Sequence, residues 1–177
     1  MNMNPSIPTT RQDHRIAWLT ALAITIHIAE SALPSPLPGI KPGLANVVTI
    51  VALIQYGWST AAWVAILRVI IGSLLIGTFL TPTFLLSLSG AVASITILRI
   101  ATWLPGRGFG AVGYSLLAAL AHMAAQFFTA YWVFIPHQAL FHLLPVLMTA
   151  AVIFGITSGL ITQLALQRLH SDEVPVQ

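Results

Sequence analysis

The chain has 177 residues, of which 57% are hydrophobic and only 6% charged, and its mean hydropathy is +0.90. A soluble domain carries about 25% charged residues, so this composition excludes an ordinary water-facing surface and assigns most of the chain to lipid. With a formal charge of +3 and no cysteine, the basic residues suit inner-face loops better than a nucleic-acid footprint, and disulfide, thiolate and Cys–metal chemistry are excluded.

Residues 1–15 read as a polar tail, and a long apolar run follows at 16–33. A signal peptide would have an apolar region of ~7–15 residues and a small-residue cleavage site. Here the run continues to Leu33 and ends in Pro34-Ser35-Pro36-Leu37-Pro38, so a retained first helix is expected. The second run, 43–56, is short. At 1.5 Å per residue it covers ~21 Å of a ~30 Å hydrocarbon core. It is either tilted into a thin region or buried among its neighbours; five helices with a re-entrant segment is the alternative. Gly57-Trp58-Ser59 reads as a turn, with Ser59 or Thr60 capping the next helix.

The third run, 60–80, is expected to stop at Thr81-Pro82. The fourth, 83–104, stops at Pro105-Gly106, and the fifth, 111–135, at Pro136. The sixth, 140–167, contains Pro145, which suits a first turn or kinks the helix. Residues 168–177 form a second short tail. The expected fold is an all-α integral membrane bundle of six transmembrane helices. With both ends inside, Arg11, Arg15, Arg107 and Arg168 fall on the cytoplasmic side of an inner membrane and only Lys41 falls outside. Trp58, Trp103 and Trp132 lie near helix ends and read as interface anchors.

Few residues inside the runs can carry chemistry. Glu30 and His27 are three apart, hence on one helical face. They read either as a ligand or proton site or as a structural hydrogen bond with an interfacial carboxylate. Arg68 lies ~12 Å into the third helix. It reads as a partner for an anion, a helix C-terminus or Glu30, or as a snorkelling side chain. Arg99 reads as a snorkelling anchor. Lys41 and Asn46 flank a helix start whose free N–H groups would face a phosphate, diphosphate or carboxylate; the bland reading is a Pro/Gly turn with an ordinary cap.

His122 and Gln126 share a face of the fifth helix and can bind a polar group or join helices. His137 and His142 flank the loop before the sixth helix, without a third metal ligand. Ala17-x-x-x-Ala21, Gly155-x-x-x-Gly159, Gly72, Gly77 and Ser87-x-Ser89-Gly90 mark close helix approach. Four acidic residues in the whole chain cannot build an Asp-rich Mg²⁺–diphosphate site, and no P-loop or G-x-S-x-G motif is present. No catalytic residue, metal or cofactor is expected.

The stretch Pro38-Gly39-Ile40-Lys41-Pro42-Gly43-Leu44-Ala45-Asn46-Val47-Val48-Thr49 resembles the Gx transporter family, whose members are often named heptaprenyl diphosphate synthase component I. Leu67-Arg68-Val69-Ile70-Ile71-Gly72-Ser73-Leu74, Ser87-Leu88-Ser89-Gly90 and Ala121-His122-Met123-Ala124-Ala125-Gln126 agree in order. The chain departs at Pro42, where the family usually has Leu, and at Met123, where an Asn commonly follows the His.

The family is similar to the six-helix S components of energy-coupling-factor transporters, in which an Ala-x-x-x-Ala on the first helix docks on the coupling subunit. Ala17 and Ala21 match that pattern. The resemblance implies a membrane-embedded binding or transport protein for a small vitamin-like or isoprenoid-related molecule, with the 34–42 loop as lid. The expected pocket comprises Glu30, Lys41, Asn46, His122 and Gln126, with Arg68 and Gln55 next. Its partners would be a transmembrane coupling subunit with ATPases. The family's other name implies instead a non-catalytic membrane subunit beside a soluble prenyl diphosphate synthase.

Overall fold

Thr10 opens the first helix. Its Oγ1 accepts from the Asp13 N–H at 3.2 Å, and its own N–H donates to Asp13 Oδ2 at 2.7 Å, a reciprocal cap that satisfies donors no helix can satisfy alone. The chain is seen in a computed structural model that describes residues 10–32, 43–104 and 109–172, with backbone alone for Ala32, His170 and Asp172. The first helix, α1, runs Arg11–Ala32. Lys41, Arg107 and the 34–42 loop lie outside the described residues.

The second helix, α2, is Ala45–Tyr56, only 12 residues. Ala45, Val48, Thr49, Ile50, Ala52 and Leu53 are buried, and α1, α3, α5 and α6 all pack against it. Of the two readings of its shortness, burial among neighbours is the one the structure has. Gly57 alone joins α2 to α3, Trp58–Ile76, at a φ of +85°. The expected cap from Ser59 or Thr60 is not made. The reversal within one residue starts the helix before either hydroxyl reaches the capping position, and Thr60 Oγ1 donates back to the Tyr56 carbonyl instead.

The helix also ends earlier than residue 80. Gly77 adopts the left-handed conformation, the Thr78 N–H donates to the Ser73 carbonyl at 2.8 Å, and the Gly77 N–H donates to Leu74. This closure favours glycine because a Cβ crowds the backbone there. Thr81 then caps α4, Pro82–Trp103, with Pro82 in the first turn, where its missing N–H costs nothing.

The fifth helix, α5, runs Ala111–Thr129 and widens into a π-helical turn at Ala130–Phe134. The Ile135 N–H donates to Ala130 at 2.9 Å, and Pro136, which has no N–H, ends the ladder. A short 3₁₀ turn at Gln138–Leu143 leads into α6, Leu144–Asp172, with Pro145 in its first turn. Of the two readings of Pro145, the first turn is correct.

The six helices form one bundle in which α5 packs against α4 and α6, and α3 against α1, α2 and α4. Its centre is built of small and branched side chains, among them Ala23, Ile50, Ala52, Ala61, Val64, Leu98 and Ala118. Small residues bring backbones together. A Cβ on Gly159 would lie 2.5 Å from Val112 Cα, and one on Gly155 would lie 3.1 Å from Leu116 Cα. Across the other side of α5, the buried Ser94 hydroxyl donates to the Ala118 carbonyl at 2.9 Å.

The outside is apolar too: Trp18, Leu75, Ile153, Leu160 and Leu164 are each more than half exposed. Such a surface is stable only in hydrocarbon. Four segments, Trp58–Ile76, Pro82–Trp103, Ala111–Phe134 and Gln138–Leu169, are long and apolar enough to cross a membrane. The fold is all-helical among the described residues and of membrane type.

Cation–π contacts mark one end of the bundle. The Arg99 guanidinium lies 4.8 Å from the ring centroids of both Trp58 and Trp103, and Arg15 lies 5.0 Å from that of Tyr56. Trp58 is therefore more than an anchor: it is half-buried, and its indole N–H donates to the Ile95 carbonyl at 2.8 Å. This end holds the Gly57 corner; the opposite end holds the Gly77 turn.

Candidate functional site

A charge-poor bundle makes each buried polar group conspicuous. Glu30, in the last turns of α1, is 5% exposed, and Arg68, midway along α3, is 8% exposed. One Glu30 carboxylate oxygen, Oε1, accepts the backbone N–H of Leu44, immediately before α2. That contact ties the end of α1 to the start of α2 and satisfies one of the four donors a helix N-terminus leaves open. Gly43, at φ +72°, turns the chain into this position.

Arg68 and Glu30 interact electrostatically, and the field of Arg68 also reaches the His122 imidazole. No ion pair closer than 4 Å joins Arg68 to a carboxylate among the described residues, and its buried Nε has no hydrogen-bond partner. An arginine left in this state holds unsatisfied donor capacity in a low-dielectric setting.

On α5, His122 Nε2 lies 3.0 Å from Gln126 Nε2. An amide nitrogen only donates, so the ring nitrogen accepts and the ring proton sits on Nδ1. The ring also lies against Gly90 on α4. It occupies the space a side chain at Gly90 would need: a Cβ there would lie 2.6–2.7 Å from three ring atoms. The second half-buried imidazole repeats the pattern. His27 on α1 lies over Gly72 of α3, with its ring carbon Cδ2 3.1 Å from where a Cβ would be. Each histidine thus sits in a notch made by a glycine on the neighbouring helix.

Of the expected site residues, His122 and Gln126 are in contact, whereas Arg68 reaches Glu30 and His122 only through its field. Asn46 and Gln55, both on α2, are half-buried. Asn46 enters the helix through its backbone N–H, which donates to Gly43. None of Glu30, Asn46, Arg68, His122 or Gln126 lines either of two cavities.

The smaller cavity, about 180 Å³, lies between α1, α3 and α4 near the Gly77 end, with His27, Ser73, Thr83 and Ser87 in its wall. The larger, about 860 Å³, opens near the Gly57 end among α2, α4, α5 and α6, with Leu53, Tyr114 and Gln163 in its wall. The sequence points to packing for Ser87 and the two glycines and gives Ser73 no role of its own. The only sequence signal of the notch role was spacing: Gly72 stands one turn beyond Arg68.

Elsewhere, Ala17 and Ala21 are both exposed on α1 beside Trp18 and Leu22. His137 and His142 make local contacts only, each bonding to the backbone of Ala139 through Nδ1.

A model of the family described as heptaprenyl diphosphate synthase component I matches residues 19–165, which spans α1 through most of α6. The chain belongs to the heptaprenyl diphosphate synthase component I family. No curated protein and no solved structure matches it. The family's description names it as one component of a synthase.

Proposed function

We propose that this component I family member is a membrane-embedded binding or transport subunit for a small molecule, S-component-like in organisation, with its site among Glu30, Arg68, His122 and Gln126. The observation that carries this reading is the buried Arg68, whose Nε lacks a partner between Glu30 and His122. A purely structural arginine in a membrane bundle is normally satisfied by a carboxylate or by carbonyls. Lys41 and Asn46 would complete the site from the start of α2, and an isoprenoid-related or vitamin-like molecule bearing an acidic or phosphorylated group suits this set. In this reading both termini lie in the cytoplasm and the Gly77 end faces outward.

The family description favours a second reading, in which the chain is the non-catalytic membrane partner of a soluble prenyl diphosphate synthase. The partner chemistry separates the two. Purification from the native membrane in mild detergent should bring down a transmembrane coupling subunit with its ATPases if the binding reading is right. Recovery of a soluble synthase whose chain elongation rises on adding this chain would transfer the assignment to the second reading. The exposed Ala17/Ala21 face is the proposed docking surface. Replacing both with Leu should abolish co-purification and leave the melting temperature of the isolated chain unchanged, because added bulk separates backbones only where a partner helix must approach.

A further inference from the structure

We infer that the cavity between α1, α3 and α4 is a binding site for a small, uncharged, ring-sized molecule that offers both a hydrogen-bond donor and an acceptor. It is separate from the site proposed above, because none of Glu30, Asn46, Arg68, His122 and Gln126 lines it.

Six of the nine wall residues are polar, and none is Lys, Arg, Asp or Glu. His27 comes from α1, Ser73 from α3, Thr78 from the turn after it, and Thr83 and Ser87 from α4. Ser73 is buried, and His27, Thr78 and Ser87 are half-buried. Thr83 is exposed and stands at the mouth. Polar groups inside a membrane bundle are costly unless something bonds to them. Small hydroxyl residues can also serve close helix approach, but then two backbones meet over them. Here they stand around a space of about 180 Å³.

A hydroxyl on a helix often donates to a carbonyl one turn back. Thr25, Ser89, Thr96, Thr149 and Thr157 all do so, at 2.7–2.9 Å. Ser87 does not, and its hydroxyl makes no hydrogen bond to another described residue. Its donor is therefore left to the cavity. Ser73 does donate, to the Ile70 carbonyl at 2.8 Å, which leaves its oxygen as an acceptor. These two residues lie on α3 and α4, which pack together. The wall thus offers a donor from one helix and an acceptor from the other.

Size and polarity then set the ligand class. An apolar cavity of ~150 Å³ takes up benzene, and this one has room for a ring of that order. Val69, Ile76 and Phe84 supply apolar contact, and Phe84 packs on Phe79 with ring centroids 4.9 Å apart. A planar ring bearing an N–H and a carbonyl, or two hydroxyls, suits such a mixed wall. A carboxylate or ammonium would enter unpaired, since no wall residue carries a formal charge to meet it.

The probe is α-pyridone, a neutral, water-soluble ring with one N–H donor and one carbonyl acceptor. Titrated by saturation-transfer NMR against the purified chain in mild detergent, with empty micelles as baseline, it should give a saturable signal. N-methyl-α-pyridone, which lacks the donor, should bind about threefold more weakly or worse. Benzoate, a charged ring of similar size, should give no saturable signal. Ser87→Ala should weaken α-pyridone about three- to tenfold and leave the melting temperature unchanged. Ser87→Leu, which fills the space, should abolish binding. Should Ser87→Leu not fold, Thr83→Trp should block the mouth to the same effect. No saturable α-pyridone signal in the wild type means that the cavity holds water alone and overturns the inference. Binding that survives both Ser87→Leu and Thr83→Trp, or benzoate bound as tightly as α-pyridone, overturns it too.

Discussion

At the scale of single residues, the main feature is how the two half-buried histidines are held. His122 is fixed by a hydrogen bond to Gln126 and by the empty space above Gly90. Gly90→Ala would push a methyl group to 2.6 Å from the ring, and overpacking of this kind costs about 1–3 kcal/mol. Thermal unfolding in detergent should show that loss, and His122→Ala in the same chain should recover most of it. Failure of the second change to rescue the first would mean that the clash is with the backbone. Arg99 makes a contrasting case. Its sequence suggests an anchor, and the structure adds two indole faces at 4.8 Å. Arg99→Gln should destabilise by about 1–2 kcal/mol, from two cation–π contacts of ~0.5–1 kcal/mol each.

At the scale of helices, the ends and the crossings are where single changes act. The α1 cap depends on the Asp13 carboxylate, which the Thr10 backbone N–H and then its hydroxyl hold below the usual aspartate range of 3.8. A lowered carboxyl favours the folded cap at any pH above the unfolded value, and that stability disappears as the pH falls through the lowered one. Amide exchange at Asp13 and His14, whose N–H groups donate to Thr10, should therefore be unaffected between pH 5 and 7, apart from the intrinsic exchange rate, and lose protection below 3.8; Thr10→Ala should abolish that pH step.

The α5–α6 crossing is set by backbone rather than side chains. A Cβ on Gly159 would meet Val112 Cα at 2.5 Å, whereas one on Gly155 would meet the nearest backbone atom, Leu116 Cα, only at 3.1 Å. Gly159→Ala should lower the melting temperature more than Gly155→Ala, because its backbone clash is the closer and a backbone neighbour cannot rotate away. Equal shifts would show that α6 slides freely along α5.

At the scale of the molecule, the bundle divides into a charged-aromatic Gly57 end and a hydroxyl-rich Gly77 end. Arg15, Arg99, Tyr56, Trp58 and Trp103 gather at the first, as interfacial side chains do beside headgroups. Ser73, Thr83 and Ser87 face a cavity at the second. The expected topology follows from the basic residues, with the Gly57 end inside. Because the chain has no cysteine, single cysteines at positions 2 and 176 can be tested without background. Both should resist a membrane-impermeant thiol reagent added to intact cells and react after permeabilisation. Reaction of either from outside defeats the orientation.

The sequence by itself determined the solvent and the element inventory, because hydropathy and run length act locally and need no knowledge of neighbours. Each of the six apolar runs is helical, though α1 starts earlier than expected, at Arg11, and α6 starts at Leu144 and runs on to Asp172; Pro145 lies in a first turn as its missing N–H requires, and Pro82, expected as a stop, instead opens α4. Where the reading slipped, a backbone conformation intervened: Gly77 ended α3 before Thr81-Pro82 could, and Gly57 started it before Ser59 or Thr60 could cap it.

Only the tertiary structure decided which polar residues meet. Glu30 and Leu44 are far apart in covalent sequence and share a hydrogen bond; Arg68 and His122 lie on α3 and α5 and share a field. A helix's own periodicity says which of its residues share a face, but not which face of another helix they oppose. That choice is made by how closely backbones can approach and by where side chains find room: here Gly155 and Gly159 let α6 approach the α5 backbone, and Gly72 and Gly90 make room for His27 and His122.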